Sequence, residues 1–218
     1  AFREQNDPTA ALHIAEHGLL LAGPKHDLAD WLSDLAHGLG QHETALRAAM
    51  IAFREYPSET GYLKVRERAL AASKSSNADN PQAAWLPLRD ELLAFIRAEK
   101  GISSDSKIGI FLREGLLADA IAVADTSALA HSTLKQLMDA ACATRPAWVI
   151  EAAQRKAEAI MDVGQAQYYE DAVVWLERAQ AAYRIADRLA DWRAYLRSLR
   201  VRHSRKYKLM SLLDRLNE

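Results

Sequence analysis

Apolar residues recur along this chain at intervals of three and four residues, which is the period of an amphipathic α-helix. Alanine and leucine, two strong helix formers, dominate the segments that show this period. The nine glycines and six prolines are few, and they fall between those segments rather than inside alternating strands. No Asn-Gly or Asp-Gly hairpin turn occurs. The pattern therefore predicts an all-α protein.

Turn and capping signals predict about ten to twelve helices. One ends within residues 2–6, and the next begins at Asp7-Pro8, because aspartate is a good cap and proline suits an early helical position. We expect that helix to extend to about Ala22, and Pro87 to lie in the first turn of a later one. The other predicted helices span residues 25–38, 43–56, 58–73, 104–114, 116–125, 131–144, 146–162 and the C-terminal stretch 168–216.

A polar run over residues 74–81 interrupts the helical pattern and is the predicted linker or loop. It separates N-terminal helix hairpins over residues 1–73 from C-terminal helix hairpins over residues 82–218. We expect the two parts to form one continuous superhelix that ends in a capping helix.

The helical pattern repeats with a period of 34 residues. Residues 11–12 and 45–46 are both Ala-Leu at equivalent helix starts, 45 − 11 = 34 residues apart. Gly40 and Gly115 each precede an alanine of the following helix by five residues. This spacing resembles the tetratricopeptide repeat, in which antiparallel helix pairs stack into a superhelix. The likeness is strongest over residues 25–57, and the alternative is a generic antiparallel helical bundle.

The C-terminal stretch concentrates the aromatic residues of the chain. Its helical wheel places an apolar face on each of two successive helices, and Tyr168 belongs to the first face. We expect four large side chains of these faces to be buried: Trp175, Tyr183, Trp192 and Leu196. A last helix is expected to cover the open end of the stack, as terminal repeats do, with Leu209, Leu212, Leu213 and Leu216.

Part of this stretch follows the order W-x2-Y-L-x2-L-x3-H-x-R-K-x-K-L, which begins at Trp192 and ends at Leu209. This order resembles the C-terminal end of bacterial SWIM zinc-finger proteins, and residues 26–49 and 168–183 are similar to their helical region. In that family a finger of pattern C-x-C-x(n)-C-x-H precedes such a region. The resemblance implies a tetratricopeptide-like helical module of a larger protein. It supplies no zinc ligand here, because one cysteine cannot build the finger.

Composition limits the chemistry that the chain can support. The formal net charge is −1, so any attraction for nucleic acid or acidic lipid must be local. The single cysteine, Cys142, excludes an internal disulfide and is expected to be a small buried residue on a helix. No apolar run is long enough to predict a membrane span. We expect a cytoplasmic protein, and one cut from a longer chain because Ala1 already lies within a helical pattern.

One short motif is typical of zinc peptidases. His13, Glu16 and His17 fit the pattern H-x-x-E-H, in which two imidazoles bind a metal and the glutamate activates water. All three lie on the polar side of their helix, which is also what a solvated face produces. His26, His37 and His42 follow nearby turns and are candidates for a further ligand or, more simply, surface histidines.

A basic strip extends from Trp192 to Lys208 and contains seven Lys or Arg residues and no acid. With Tyr195 and Tyr207 alongside, it can hold phosphates and stack a base. The alternative is an exposed flank balanced by acids on the preceding helix, with cations that complement a helix end. The candidate contacts for nucleic acid or an acidic partner are Arg193, Arg197, Arg200, Arg205, Lys206 and Lys208.

The functional expectation follows from the repeat and from the absence of catalytic motifs. No G-x-S-x-G, G-x-G-x-x-G or G-x-x-x-x-G-K-[ST] sequence occurs. We therefore expect a non-enzymatic protein–protein interaction scaffold with no cofactor and no metal, whose groove receives a peptide or a partner domain. The alternatives are a nucleic-acid-associated module that uses the basic strip and, more remotely, a zinc hydrolase.

Overall fold

The computed structural model describes residues 7–75 and 80–216, and within these ranges the chain forms helices and no strand. The all-α prediction is confirmed. The helices are α1 (Pro8–Gly18), α2 (His26–Gly38), α3 (His42–Glu55), α4 (Glu59–Ser75), α5 (Pro81–Ala98), α6 (Ser104–Arg113), α7 (Leu117–Thr126), α8 (His131–Ala141), α9 (Pro146–Val163), α10 (Tyr169–Ile185), α11 (Leu189–Arg202) and α12 (Tyr207–Leu213), with a short 3-10 turn at Ala166–Tyr168 before α10.

The chain divides into two compact units, Ala1–Leu129 and Ala130–Glu218. The first contains α1 to α7 and the second contains α8 to α12. Helices α4 and α5, on either side of the predicted linker, pack against each other within the first unit. Residues 76–79 of that linker lie outside the described residues, as do residues 2–6 of the first predicted helix end. The division at residues 74–81 and the continuous superhelix remain predictions.

Side-chain caps mark the starts of α1, α5 and α6 in the first unit. The Asp7 carboxylate accepts a hydrogen bond from the Ala10 amide at 2.9 Å, as its position before a proline predicts. Asn80 caps α5 in the same way, accepting from the amides of Gln82 and Ala83. The expectation that Pro87 lies in a first turn is therefore wrong, because α5 begins six residues earlier. Pro87 has no amide hydrogen to donate to the carbonyl of Ala83, four residues earlier. Ala83 is exposed, so water can bond to that carbonyl instead.

Helix α1 ends at Gly18, four residues before the predicted end at Ala22. The amides of Leu20 and Leu21 bond to carbonyls only three residues earlier, so the chain leaves the helix through tight turns. Gly18 marks a close contact with α2, since a Cβ there would lie 2.8 Å from the Leu28 Cδ2 atom. The apolar pattern of the leucines had suggested a longer helix, but Leu20 and Leu21 are exposed.

Three helix hairpins share one turn geometry. Gly40, Gly115 and Asp187 lie at φ values of 73°, 71° and 55°, in the left-handed region that favours glycine. In each turn, the amide of the next residue bonds to a carbonyl five residues earlier: Gln41 to Ala36 at 2.8 Å, Leu116 to Phe111 at 2.8 Å and Arg188 to Tyr183 at 2.9 Å. This is the Schellman arrangement, which satisfies the last carbonyls of a helix. It joins α2 to α3, α6 to α7 and α10 to α11.

Alanine faces allow neighbouring helices to approach closely in both units. In the first unit, Ala29 and Ala36 of α2 are fully buried against Ala45 of α3. In the second unit, α9 and α10 form the most extensive helix pair, with Ala157 and Ala179 fully buried. Small side chains bring two backbones near each other and leave few voids. The close pairs therefore follow from the distribution of alanine.

The aromatic core of the second unit agrees with its sequence pattern. Trp175, Tyr183, Trp192 and Leu196 are all buried, with at most 5% of any side chain exposed. Tyr168 departs from the prediction, because it ends the 3-10 turn before α10 and is 49% exposed. The predicted last helix is α12, which contacts α10 and α11. Its leucines are buried, as is Leu216 beyond its end.

Helices two positions apart along the chain are joined by side-chain bridges. Lys64 of α4 pairs with Asp30 of α2 at 2.7 Å, and Arg97 of α5 donates two hydrogen bonds to Asp119 of α7 at 2.9 Å each. Other bridges of this kind are Arg54–Glu91 between α3 and α5, Arg113–Glu59 between α6 and α4, Arg178–Asp139 between α10 and α8, and Arg202–Glu158 between α11 and α9. Side-chain bridges between helices two positions apart therefore occur in both units.

Among the described helices, none combines the length and the apolar character needed to cross a bilayer.

The shared turn predicts opposite effects of two substitutions. We expect Asp187→Gly to raise the free energy of unfolding by about 0.5 kcal/mol and Gly115→Ala to lower it by about 1 kcal/mol, because only glycine adopts positive φ without strain. A Cβ at Gly115 would meet no atom within 4 Å, so the effect comes from the backbone alone. Urea unfolding of the three proteins measures both differences.

Gly38→Ala serves as the control, since Gly38 lies in α2 at an ordinary φ and a Cβ there also meets no atom within 4 Å. We expect this change to be neutral or stabilising. Equal destabilisation by Gly38→Ala and Gly115→Ala would contradict the assignment of the turn.

Candidate functional site

A polar cleft in the first unit lies between α2 and α4. Its volume is about 560 Å3. Helix α2 contributes His26, Asp30 and Asp34, and α4 contributes a polar face that includes Lys64 and Arg68. The i and i+4 spacing within each pair places both carboxylates on one side of the cleft and both cations on the other.

Lys64 holds the two carboxylates of α2 together. Its ammonium lies 2.7 Å from the Asp30 carboxylate and 2.8 Å from that of Asp34, and the Lys64 side chain is only 18% exposed. It also donates to the Asp30 carbonyl at 3.3 Å. An ammonium this far from water needs such partners, because a buried charge without them is costly.

Arg68 extends the network into the interior of the unit. Its guanidinium donates to Asp34 at 2.9 Å and to Glu67 at 2.8 Å, and its side chain is 8% exposed. Its Nε atom donates to the hydroxyl of Ser33 at 3.4 Å, and Ser33 donates in turn to the Ala45 carbonyl at 2.9 Å. The network therefore reaches α3 through a fully buried serine.

The pairing across the cleft has the spacing of the predicted repeat. Lys64 and Asp30 are separated by 34 residues, and so are Arg68 and Asp34. In each pair an anionic residue of α2 faces a cationic residue of α4.

An apolar slot adjoins the polar cleft along α2. It has a volume of about 520 Å3 and is lined by Trp31, Leu35, Gly38 and Leu39. Asp34 lines both cavities, so they are neighbours on α2, and we call the slot and the cleft together the α2 groove. Trp31 and Leu35 also pack on the core of the unit, which fixes one wall of the slot.

The pKa of Asp34 shows how the groove distributes charge. Burial acts on it most strongly and raises the pKa, but hydrogen bonds and charges from Lys64 and Arg68 together outweigh burial and lower the pKa below its ordinary value of 3.8. A general acid or base works best with a pKa near the working pH. The pKa of Asp34 is shifted away from neutral pH. This suits a carboxylate that stays ionised rather than one that carries protons.

The residues of the zinc motif are exposed on α1. His13 and His17 are solvent-facing, and the His13 Nδ1 atom lies 3.6 Å from the Glu16 carboxylate. Glu16 also lies 3.7 Å from Arg47, a cation that would compete with a metal. Within residues 7–75 and 80–216, no group of three or more His, Cys, Asp or Glu side chains could hold a metal ion.

The three neighbouring histidines do not converge on this motif. His37 and His42 flank the α2–α3 turn and meet edge to face, with ring centroids 5.4 Å apart. His26 contacts the ring of Tyr56 and bonds to Asp27 at 3.0 Å.

Some cations of the basic strip bond to acidic residues or carbonyls, and others form no ion pair with any described residue. Arg200 approaches Asp214 at 3.4 Å, Arg202 pairs with Glu158 at 3.1 Å, and the Lys206 ammonium donates to the Met161 carbonyl. Four further cations of the strip are exposed and form no ion pair with any residue of the described ranges: Arg193, Arg197, Arg205 and Lys208. Only the second set is available to a partner.

The two tyrosines beside the strip differ in exposure and in hydrogen bonding. Tyr207 is 84% exposed. Tyr195 is half-buried and donates its hydroxyl to Glu158 at 2.8 Å, and burial followed by that hydrogen bond raises its pKa. Tyr195 therefore belongs to the packing between α9 and α11. The strip retains one aromatic ring for stacking rather than two.

Cys142 does not lie inside a helix. It follows the last residue of α8 as the C-terminal cap and is half-buried, and burial raises the pKa of its thiol. The expected buried position is wrong because α8 ends at Ala141, three residues before the predicted end.

Comparisons with protein-family models, with curated proteins and with solved structures find no match to this chain. Its function is therefore inferred from its own surfaces.

The position of Asp34 predicts a stability difference that depends on pH. Because its folded pKa is depressed, Asp34 contributes stability that is present above its unfolded pKa and is lost as the pH falls through the folded pKa. We expect Asp34→Asn to lower the free energy of unfolding by about 1 kcal/mol at neutral pH. The difference should shrink below about pH 4. Urea unfolding at several pH values measures it.

Asp90→Asn is the matched control, because Asp90 is exposed on α5 and forms no hydrogen bond or ion pair among the described residues. A pH-independent effect of Asp34→Asn, or an equal effect of Asp90→Asn, would show that Lys64 and Arg68 do not stabilise the Asp34 carboxylate.

For the zinc motif, we expect protein stripped with a chelator and reloaded with zinc to retain none above background in elemental analysis. Stoichiometric zinc that is lost in His13→Ala and His17→Ala would contradict this expectation.

Proposed function

We propose that this chain is a non-enzymatic protein–protein interaction scaffold whose α2 groove receives a segment of a partner protein. The observation that carries the proposal is the meeting of an apolar slot and a charged cleft at Asp34. Protein segments present apolar and polar side chains in close succession, and such a groove can bind both.

Three regularities support a tetratricopeptide-like stack of helix hairpins as the architecture. The α2–α4 ion pairs join positions 34 residues apart, and the starts of α1 and α3 differ by 42 − 8 = 34 residues. The same hairpin turn recurs three times, and side-chain bridges join helices two positions apart in both units. Of these regularities, the 34-residue spacing is the one that a generic bundle does not require.

Charge in the groove favours a partner segment with a basic side chain. Asp30, Asp34 and Glu67 contribute three negative charges, and Lys64 and Arg68 contribute two positive charges, so the sum is 2 − 3 = −1. The carboxylates are also more exposed than the cations, with Asp34 58% and Arg68 8% exposed. An apolar anchor in the slot beside a cation over Asp34 satisfies both features.

We also propose that this chain is part of a larger protein. The motif from Trp192 to Leu209 resembles the end of SWIM zinc-finger proteins, and we place the chain in a larger bacterial zinc-finger protein of the cytoplasm. The full-length gene product tests this part, since a C-x-C-x(n)-C-x-H finger upstream is expected.

The groove predicts selective loss of peptide binding. We expect peptides selected from a random display library against the whole chain to compete for one site, with an apolar residue beside a basic one. Leu39→Asp should weaken their binding at least about tenfold, because a charge placed in the slot must be desolvated on binding. Leu39 is 39% exposed, so the fold should tolerate the change. Isothermal titration calorimetry measures the affinities.

Leu86→Asp provides the control, because Leu86 is a comparably exposed leucine on α5 (45%) and does not line the groove. Binding that is equally sensitive to both changes, or a selection that yields no peptide sensitive to Leu39→Asp, would refute the groove as the binding site.

A further inference from the structure

The outward face of α11 carries cations that the fold does not use. Arg193 and Arg197 are exposed, and no residue in the described ranges forms an ion pair with either. They lie four residues apart on one helix face, a spacing at which like charges repel and weaken the helix. The same helix does pair its other charges, since Arg188 bonds to Asp191 at 2.7 Å. The arrangement of Arg193 and Arg197 therefore opposes local stability.

An exposed apolar residue continues the same row. Val201 lies four residues after Arg197 and is 77% exposed, and Tyr207 at the start of α12 is 84% exposed. Ala194 and Ser198 lie beside this row and are exposed and small. The backbone of a partner can therefore approach this side of α11 closely. We call Arg193, Arg197 and Val201 the α11 face.

The acidic residues next to α11 lie away from this face. Glu158 and Asp162 of the adjacent helix α9 lie near Arg202 and the buried His203, which are about 140° and about 120° around the helix from Arg197. Asp214 follows α12 and approaches Arg200. These carboxylates bond to other residues and leave Arg193 and Arg197 without an ion pair among the described residues. Arg205 and Lys208 are further exposed cations after the row, so the feature that separates a protein partner from a polyanion is the exposed Val201.

We propose that the α11 face binds an acidic helical segment of a partner protein, with two carboxylates one helical turn apart and an apolar side chain one turn further. The carboxylates would pair with Arg193 and Arg197, since arginine forks match carboxylate geometry. The apolar side chain would cover Val201. An exposed valine in line with the arginines favours a protein over a nucleic acid, which has no aliphatic group to offer except the thymine methyl. This site is independent of the α2 groove.

The test uses the whole chain and a labelled, alanine-based helical peptide of about 20 residues, a length at which such helices form in water. The peptide carries two glutamates four residues apart and a leucine four residues further. A second peptide of identical composition places the two glutamates on opposite faces, and a single-stranded thymidine oligonucleotide of similar charge is the third probe. Fluorescence anisotropy at low salt measures each affinity, because screening weakens exposed ion pairs.

We expect the first peptide to bind at least about five times more tightly than the composition-matched peptide and the oligonucleotide. Arg193→Glu should reduce its affinity at least about tenfold while the melting temperature is maintained, because a carboxylate four residues before Arg197 forms a favourable helix pair. Val201→Thr, nearly the same in shape, should reduce peptide affinity about threefold and leave oligonucleotide affinity unchanged.

Arg145→Glu is the matched control. Arg145 is an exposed cation that caps the N-terminal end of α9, and no ion pair to it occurs in the described ranges. The change alters net charge by the same amount and places an acid where the helix dipole favours it. Gln154 of α9 lies level with Trp192, because both contact Tyr183. Position 145 precedes Gln154 by nine residues, about 14 Å along α9, so peptide affinity should hardly change.

Three results would overturn the proposal. The first is an oligonucleotide that binds more tightly than the acidic peptide, which would assign the face to nucleic acid. The second is equal loss of peptide affinity in Arg145→Glu and Arg193→Glu, which would show unspecific charge attraction. The third is no binding of the peptide to the wild-type chain at low salt. Because none of the variants alters the α2 groove, each result leaves the proposed scaffold function to its own experiment.

Discussion

Close approach of antiparallel helices is the constraint on which both units depend. Fully buried alanines occupy the facing positions of α2 and α3 in one unit and of α9 and α10 in the other. Where backbones lie so near each other, the connecting turn must reverse the chain within a few residues. Gly40 provides that reversal between α2 and α3, and Gly164 with the 3-10 turn Ala166–Tyr168 provides it between α9 and α10. A larger residue in the contact or a strained residue in the turn would separate the pair.

Contacts between helices two positions apart along the chain have a different physical basis. The bridges that join them are ion pairs, and several are half-exposed, so each adds little stability alone. The exception is the pair of cations on α4, because Lys64 and Arg68 are largely withdrawn from water and share Asp34. Such a network costs stability if one member is lost but fixes which positions of the two helices face each other. That register places Asp34 at the junction of the slot and the cleft.

Amphipathic periodicity predicted the helices because burial of one face is a local property of each segment. The structure departs from the sequence-based predictions where a local signal conflicted with packing. Leu20 and Leu21 continue an apolar pattern but are exposed, and Tyr168 precedes rather than begins its helix. The α2 groove was not predicted, because Lys64 and Arg68 look like solvated charges in a linear pattern. The spacing of 34 residues from Asp30 and Asp34 was the available signal, but its use requires knowing that α2 and α4 lie side by side.

The two arginine-containing surfaces show why residue type alone does not identify a site. Arg68 is 8% exposed and bonds to Asp34 and Glu67, so its charge is neutralised within the unit and its removal would disturb the fold. Arg193 is exposed and pairs with no described residue, so the fold gains nothing from its charge. Burial with a partner indicates a structural role, and exposure together with unrelieved repulsion indicates an external one. On this criterion the basic strip separates into the cations that hold α11 and α12 in place and those that remain available to a partner.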